Sequence, residues 1–94
     1  MSKLLAPEAL EAALAAVPGW ERSGGEIRRT FTLPSFTAAL TFAAAVGHLA
    51  ERAGHHPDIL IQYRRVTFTL STHDAGGLTD KDLALAGEIN ALAG

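Results

Sequence analysis

Apolar residues recur at helical spacing in the first part of the chain. Leu10, Leu14 and Val17 follow a Pro-Glu pair that suits a first helical turn, and Pro18-Gly19 ends the pattern. These positions predict a short amphipathic helix over residues 7–17.

The next stretch alternates between apolar and polar residues, as a half-buried strand does. Trp20 precedes the turn residues Ser23-Gly24-Gly25, after which Ile27, Phe31 and Leu33 alternate with polar neighbours. Period-two alternation on both sides of a glycine turn predicts a β-hairpin with one apolar face.

The longest helical pattern begins after Ser35, a favourable N-cap residue, and ends at Gly54. Glycine fits the left-handed conformation that terminates a helix, and Pro57 shortly afterwards prevents the helix from restarting. The apolar stripe of this helix comprises Phe36, Ala39, Leu40, Ala43, Val46, Gly47, Ala50 and Ala53.

A second hairpin is predicted from residues 59–63 and 66–70, which alternate on either side of Arg64-Arg65. Two arginines are poor candidates for a tight two-residue turn, so a wider loop is expected. Thr79 and Asp82 then have the spacing of a capping box, with Asp replacing the usual Glu, and they predict a closing helix.

The predicted order of elements is helix, hairpin, helix, hairpin, helix. This order indicates a single α+β domain over residues 1–94, with a four-stranded antiparallel sheet covered on one face by helices. A domain of 94 residues has a modest core, so association into a homodimer or homotetramer is a plausible source of further stability.

Composition excludes several classes of function. A net charge of −2 gives no basic field for a nucleic-acid backbone, and 0 cysteines exclude disulfides and thiolate metal sites. No signal peptide or membrane-spanning segment is visible, so we expect a soluble cytoplasmic protein.

Three of the four histidines occur where predicted elements end. His55 and His56 lie on a helix-to-strand turn, and His73 follows the second strand of the second hairpin. Antiparallel pairing about the hairpin turn brings these three rings into one neighbourhood. Because imidazole has an ordinary pKa of about 6.5, such groups can serve as acid and base without a cofactor.

Each candidate also has a simpler interpretation. His48 lies inside a predicted helix and is expected to be a surface or core residue without a role in the site. Zinc binding is disfavoured because thiolate and HExxH spacings are absent. Several carboxylates are open to two readings. Glu51 either orients a histidine or binds a polar edge of a substrate, or else it is solvated. Asp82 is more readily a helix cap, and Asp58 and Asp74 contact either a ligand or water.

Trp20 has two readings as well. It covers a planar ligand or, more often in so small a domain, belongs to the core.

The chain resembles the pterin-4a-carbinolamine dehydratase family. The resemblance is carried by Glu51-x-x-x-His55-His56-Pro57 followed by Tyr63, His73 and Asp82. Further matching runs are Pro18-Gly19-Trp20, Leu70-Ser71-Thr72-His73 and Gly77-Leu78-Thr79. The match extends over essentially the whole chain, and seven spaced positions agreeing in order make it specific.

The resemblance implies dehydration of a 4a-hydroxytetrahydropterin to quinonoid dihydropterin in tetrahydrobiopterin recycling, with no metal or organic cofactor. It places His55, His56 and His73 in the site, with Gly54 and the segment Ser71, Thr72, His73 and Asp74 contacting the pterin. We expect His55 and His73 to act as the acid/base pair and His56 to bind and orient the substrate. Glu51 is expected to orient a histidine or to hold the polar edge of the pterin. Trp20 and Asp82 are expected to support the site.

The same family fold also has uses without catalysis, as an assembly chaperone for Rubisco and as a dimerisation cofactor in transcription. Retention of three histidines with Glu51 favours an enzyme over a partner-binding protein. Two departures from the family pattern are visible: Lys81 stands where arginine is frequent, and Arg64-Arg65 replace a turn that often contains asparagine.

Overall fold

The structure, a computed structural model, describes residues 3–94, and its elements follow the predicted order. The helices are α1 (Pro7–Ala15), α2 (Phe36–Ala53) and α3 (Asp80–Ala93). The strands are β1 (Glu21–Ser23), β2 (Glu26–Thr32), β3 (Asp58–Gln62) and β4 (Arg65–Leu70), and a 3₁₀ turn covers His73–Ala75. The α+β class is therefore confirmed.

The four strands form one antiparallel sheet in the order β1-β2-β4-β3. Ile27 pairs with Leu70 and Phe31 with Val66, so the apolar residues of β2 and β4 share one face. These side chains are buried beneath the helices. Phe42 of α2 packs edge-on against Phe31 and Phe68, with ring centroids 5.1 and 5.7 Å apart, and fixes α2 across the sheet.

The other face of the sheet, here called the open face, carries residues from β2, β4 and β3 in register. Across the strands its rows are Arg28, Thr69 and Asp58, then Thr30, Thr67 and Leu60, then Thr32, Arg65 and Gln62. Most of these side chains are exposed, and the hydroxyls of Thr30 and Thr67 are hydrogen-bonded at 2.7 Å.

The turn of the second hairpin differs from the prediction. Gln62 pairs with Arg65, so the turn consists of Tyr63 and Arg64 alone, and Arg65 belongs to β4. Tyr63 adopts a positive φ of 54°, and the backbone N–H of Leu33 donates to the carbonyl of Arg64 at 2.8 Å. The expected wider loop is wrong because register is set by burial of Val66, Phe68 and Leu70, which outweighs the turn preference.

Both ends of α2 and the start of α3 were predicted correctly, whereas α1 ends at Ala15 and not at residue 17. The side chain of Ser35 accepts from the N–H of Ala38, and Gly54 terminates α2 with φ 63°. Thr79 and Asp82 form the capping box at the start of α3. Within residues 3–94 no helix has the length and apolar character needed to cross a membrane.

Candidate active site

The histidine-bearing segments meet because β3 and β4 run antiparallel. Asp58, the first residue of β3, pairs with Thr69 near the end of β4. The turn that carries His55 and His56 therefore lies beside the segment that carries Ser71 and His73. Gly54 ends α2 just before this turn, so a short tether holds the histidines at the edge of the scaffold.

Two of the three predicted histidines line one depression on the open face, here called the histidine cleft. The cleft is narrow, with a volume of about 10 Å³, and its lining is polar. The residues that line it are Glu26, His56, Asp58, Thr69, Ser71 and His73. Imidazole, carboxylate and hydroxyl groups are thus gathered around one small space, as acid/base chemistry requires.

His56 is held by Glu51 from the last turn of α2. The distance from Nε2 of His56 to Oε1 of Glu51 is 2.6 Å, and both side chains are largely exposed. Glu51 thus contacts a histidine and is at the same time exposed to solvent. The neighbouring Ser71 is also fixed, because its hydroxyl donates to the carbonyl of Gly25 at 2.8 Å.

His55 is turned away from the histidine cleft and towards α3. Its Nε2 lies 2.6 Å from Oδ1 of Asp82, which is completely buried, while the His55 side chain is 12% exposed. An ionised carboxylate can only accept hydrogen bonds, so the proton of this contact belongs to Nε2 of the ring. Nδ1 of neutral His55 is therefore the nitrogen that can accept a proton.

Asp82 is the centre of a buried polar network. Its Oδ2 accepts from Oγ1 of Thr72 at 2.8 Å and from the backbone N–H of Thr79 at 2.9 Å. The hydroxyls of Thr72 and Thr79 are also 2.8 Å apart. With the contact to His55, both oxygens of the carboxylate are bonded, which offsets the cost of its burial. Asp82 therefore caps α3 and anchors His55 at the same time.

Several predicted site residues do not reach the histidine cleft. Thr72 is only 2% exposed, and its hydroxyl is committed to the Asp82 network. Gly54 and Asp74 are exposed beside the cleft without lining it.

Trp20 belongs to the core and does not cover a ligand. It is 6% exposed and donates from Nε1 to Oδ1 of Asn90 at 2.8 Å, on the helix-covered side of the sheet. Trp20 therefore has the core position that the sequence favoured, and its supporting role at the site stays a prediction.

Glu26 and Thr69 line the histidine cleft although the sequence did not single them out. Thr69 has the same strand parity as Ser71, a signal present in the sequence. Glu26 reaches the cleft because β2 pairs with β4, a long-range pairing that local patterns do not reveal. Within residues 3–94, no group of three or more His, Asp or Glu side chains is arranged to hold a metal ion.

These features define a class: small α+β proteins with a histidine and carboxylate site where the strands of a half-covered sheet end. The family model described as pterin 4 alpha carbinolamine dehydratase matches residues 3–92. The chain therefore belongs to the pterin 4 alpha carbinolamine dehydratase family.

Curated relatives from two bacteria are similar over nearly their whole length, and both bear the name "Putative pterin-4-alpha-carbinolamine dehydratase". The relative from Roseiflexus castenholzii is 56% identical over 90 residues, covering 96% of this chain and 97% of its own. The relative from Nocardia farcinica is 54% identical over 92 residues, covering 98% of this chain and 97% of its own.

Two solved structures share the fold. A transcriptional coactivator/pterin dehydratase from Brucella melitensis superposes with a TM-score of 0.91 at 36% identity, covering 96% of this chain and 98% of its own. A pterin dehydratase-like protein described as a RuBisCO assembly factor in the alpha-carboxysome gives a TM-score of 0.65 at 26% identity, covering 80% of this chain and 87% of its own.

Proposed function

We propose that this protein is a 4a-hydroxytetrahydrobiopterin dehydratase, which eliminates water by histidine acid/base catalysis. The observation that carries the proposal is the histidine cleft, in which His56 and His73 face one polar space in a chain of this family. Family membership supplies the substrate class, and the cleft supplies groups that exchange protons near neutral pH.

The reaction requires two proton transfers. The hydroxyl oxygen on C4a receives a proton and leaves as water, taking the electron pair of its bond to carbon. The adjacent ring nitrogen loses its proton, and the electron pair of that N–H bond forms the C=N double bond of quinonoid dihydropterin. The elimination is redox-neutral, so acid/base groups suffice and no metal or organic cofactor is needed.

We assign the acid to His73, which lines the histidine cleft, and the base to His55, which follows Gly54 beside the cleft without lining it. The buried carboxylate of Asp82 holds Nε2–H of His55, so Nδ1 is presented as acceptor and the positive charge that develops on the ring is stabilised. His73 is exposed on the cleft, where its protonated ring can meet a leaving hydroxyl. His56, held by Glu51, binds and orients the heterocycle.

The test is a dehydration assay on the purified protein. Prepared 4a-hydroxytetrahydropterin is mixed with enzyme, and formation of the quinonoid product is followed by ultraviolet absorbance. We expect His55→Ala and His73→Ala each to lower kcat by about 100-fold or more, the usual contribution of one positioned acid or base.

His48→Ala is the matched control, because His48 is exposed in the middle of α2 and lies outside the cleft. Circular dichroism establishes that each variant is folded. A wild-type protein that does not accelerate dehydration would contradict the proposal. That result would favour the alternative of a non-catalytic partner-binding protein, to which the likeness to the RuBisCO assembly factor points.

A further inference from the structure

A second cleft lies at the opposite end of the open face and is not used by the proposed chemistry. It has a volume of about 430 Å³ and is lined by Thr32, Gln62, Tyr63, Arg64 and Arg65. We call it the turn cleft, because Tyr63 and Arg64 form the turn between β3 and β4. Its lining combines two guanidinium groups with an aromatic ring.

The two arginines of the turn cleft have no carboxylate partner among residues 3–94. The ion pairs of that segment are Arg28 with Glu26, His55 with Asp82, and His56 with Glu51. Arg64 instead lies over the ring of Tyr63, 5.8 Å from its centroid. Two guanidinium groups beside one cleft with no neutralising acid make a site that suits an anion.

The backbone of the turn is strained in a way that keeps Tyr63 at this cleft. Tyr63 has φ 54°, a conformation that costs a residue with a Cβ about 1–2 kcal/mol, and its side chain is 71% exposed. An Asn-Gly turn would close the same hairpin with less strain. The strain follows from the register of β4, and it leaves the ring of Tyr63 exposed beside the turn cleft.

The two clefts lie at opposite ends of the open face, and strand β4 runs from one to the other. Thr69 lines the histidine cleft, and Arg65 of the same strand lines the turn cleft. Thr69 lies four positions after Arg65 along the extended strand, a span of about 13 Å. The row between them is Thr30, Thr67 and Leu60, with the two threonine hydroxyls bonded to each other.

The two clefts differ in charge. At the histidine cleft the carboxylates of Glu26 and Asp58 lie near Arg28, which is 4.0 Å from Glu26, whereas the turn cleft has only Arg64 and Arg65 as charged lining residues. An anionic group is therefore attracted to the turn cleft. The face thus favours an elongated ligand whose far end is anionic.

We infer that the open face binds a pterin whose side chain ends in a phosphate group more tightly than the neutral pterin of the proposed reaction. The ring lies over the histidine cleft, the side chain crosses the Thr30 and Thr67 row, and Arg64 and Arg65 bind the phosphate. The inference rests on the proposed function for the identity of the ring, and the turn cleft adds the preference for the anionic end.

The test compares binding of a pterin that carries a trihydroxypropyl side chain with binding of its 3′-phosphate, by titration calorimetry of the full chain. We expect the phosphate ester to bind about 10- to 100-fold more tightly, the range for charge-assisted hydrogen bonds. The preference should shrink as salt is raised, because both partners are exposed.

Arg65→Gln should lower the ratio of the two dissociation constants towards one. Arg65→Lys, which keeps the charge but not the planar fork, should give an intermediate ratio. Lys3→Gln is the matched control, since it removes one exposed positive charge away from either cleft and should keep the ratio.

Equal affinity for the two pterins, or a preference that persists in Arg65→Gln, would overturn the inference. Its failure is distinguishable from failure of the proposed function, because binding is measured without turnover. Dehydration without a phosphate preference overturns only the inference. A preference that depends on Arg65 supports the inference even where no dehydration is observed.

Discussion

The contact between His55 and Asp82 joins residues that are far apart in sequence and decides how one ring is presented. Asp82 is completely buried, and both of its oxygens are bonded. Because its carboxylate receives Nε2–H, the contact fixes the tautomer of His55 as well as its orientation. In the proposed mechanism Asp82 therefore acts through His55 and is a positioning residue.

Asp82→Asn should lower kcat for dehydration by about 100-fold while leaving KM within a few-fold, because an amide presents the wrong group to Nε2 and removes the stabilising charge. The measurement is the initial rate across a pH series. A role through His55 should change the shape of the pH–rate profile, whereas loss of folded protein would lower the rate equally at every pH.

Asp80→Asn is the control for Asp82→Asn. It removes one carboxylate from the same first turn of α3, but Asp80 is exposed and lies outside the polar network. Equal losses in the two variants would contradict a specific role for Asp82, as would a folded Asp82→Asn protein with wild-type kcat.

At the scale of one element, Gly54 determines where α2 ends and where the turn that carries His55 and His56 begins. A Cβ added at Gly54 would meet no atom within 4 Å, so the requirement for glycine comes from its φ of 63° alone. Gly54→Ala should therefore destabilise the protein by about 1 kcal/mol, the cost of a left-handed conformation for a residue with a side chain.

Gly87→Ala is the comparison, because Gly87 lies inside α3 and an added Cβ would make an ordinary contact 3.8 Å from Cγ1 of Val17. This change should stabilise the fold by about 0.5–1 kcal/mol. Urea unfolding measures both free energies. Changes of the same sign in both variants would contradict the assignment of Gly54 to a purely conformational role.

Patterns within an element predicted the fold well. Alternation and helical spacing gave the order of elements, and Ser35, Gly54 and Thr79 marked helix ends that the structure confirms. The turn at Tyr63 was not predictable from turn preferences, because burial of β4 sets the register and forces an unfavoured residue into positive φ.

Contacts between elements were only partly predictable. Antiparallel pairing brought His56 and His73 together as expected, whereas the capping spacing of Asp82 gave no sign of its bond to His55. That bond depends on how α2 packs against α3, which is a property of the assembled core. The same limit explains why Glu26 was not foreseen at the cleft.

At the scale of the whole molecule, α2 presents apolar side chains that its own chain leaves exposed. Phe36 is 47% and Leu40 43% exposed, and they are adjacent on the helix surface. The sequence placed both residues in the buried stripe, yet the deeply buried positions are Ala39, Ala43, Val46 and Ala50. We expect the surface of α2 that carries Phe36 and Leu40 to be covered by another copy of the chain.

The corresponding test is Phe36→Glu with Leu40→Glu, which places two charges on that surface. Wild-type protein should sediment as a dimer or tetramer of the 9.9 kDa chain at micromolar concentration, and the double variant should shift towards the monomer because burying unpaired carboxylates is costly. Thr41→Glu adds a charge to another exposed position of α2 and should preserve the assembly. Wild-type protein that sediments as a monomer at every concentration would contradict the expectation. The core of a single 94-residue chain would then be sufficient to stabilise the fold.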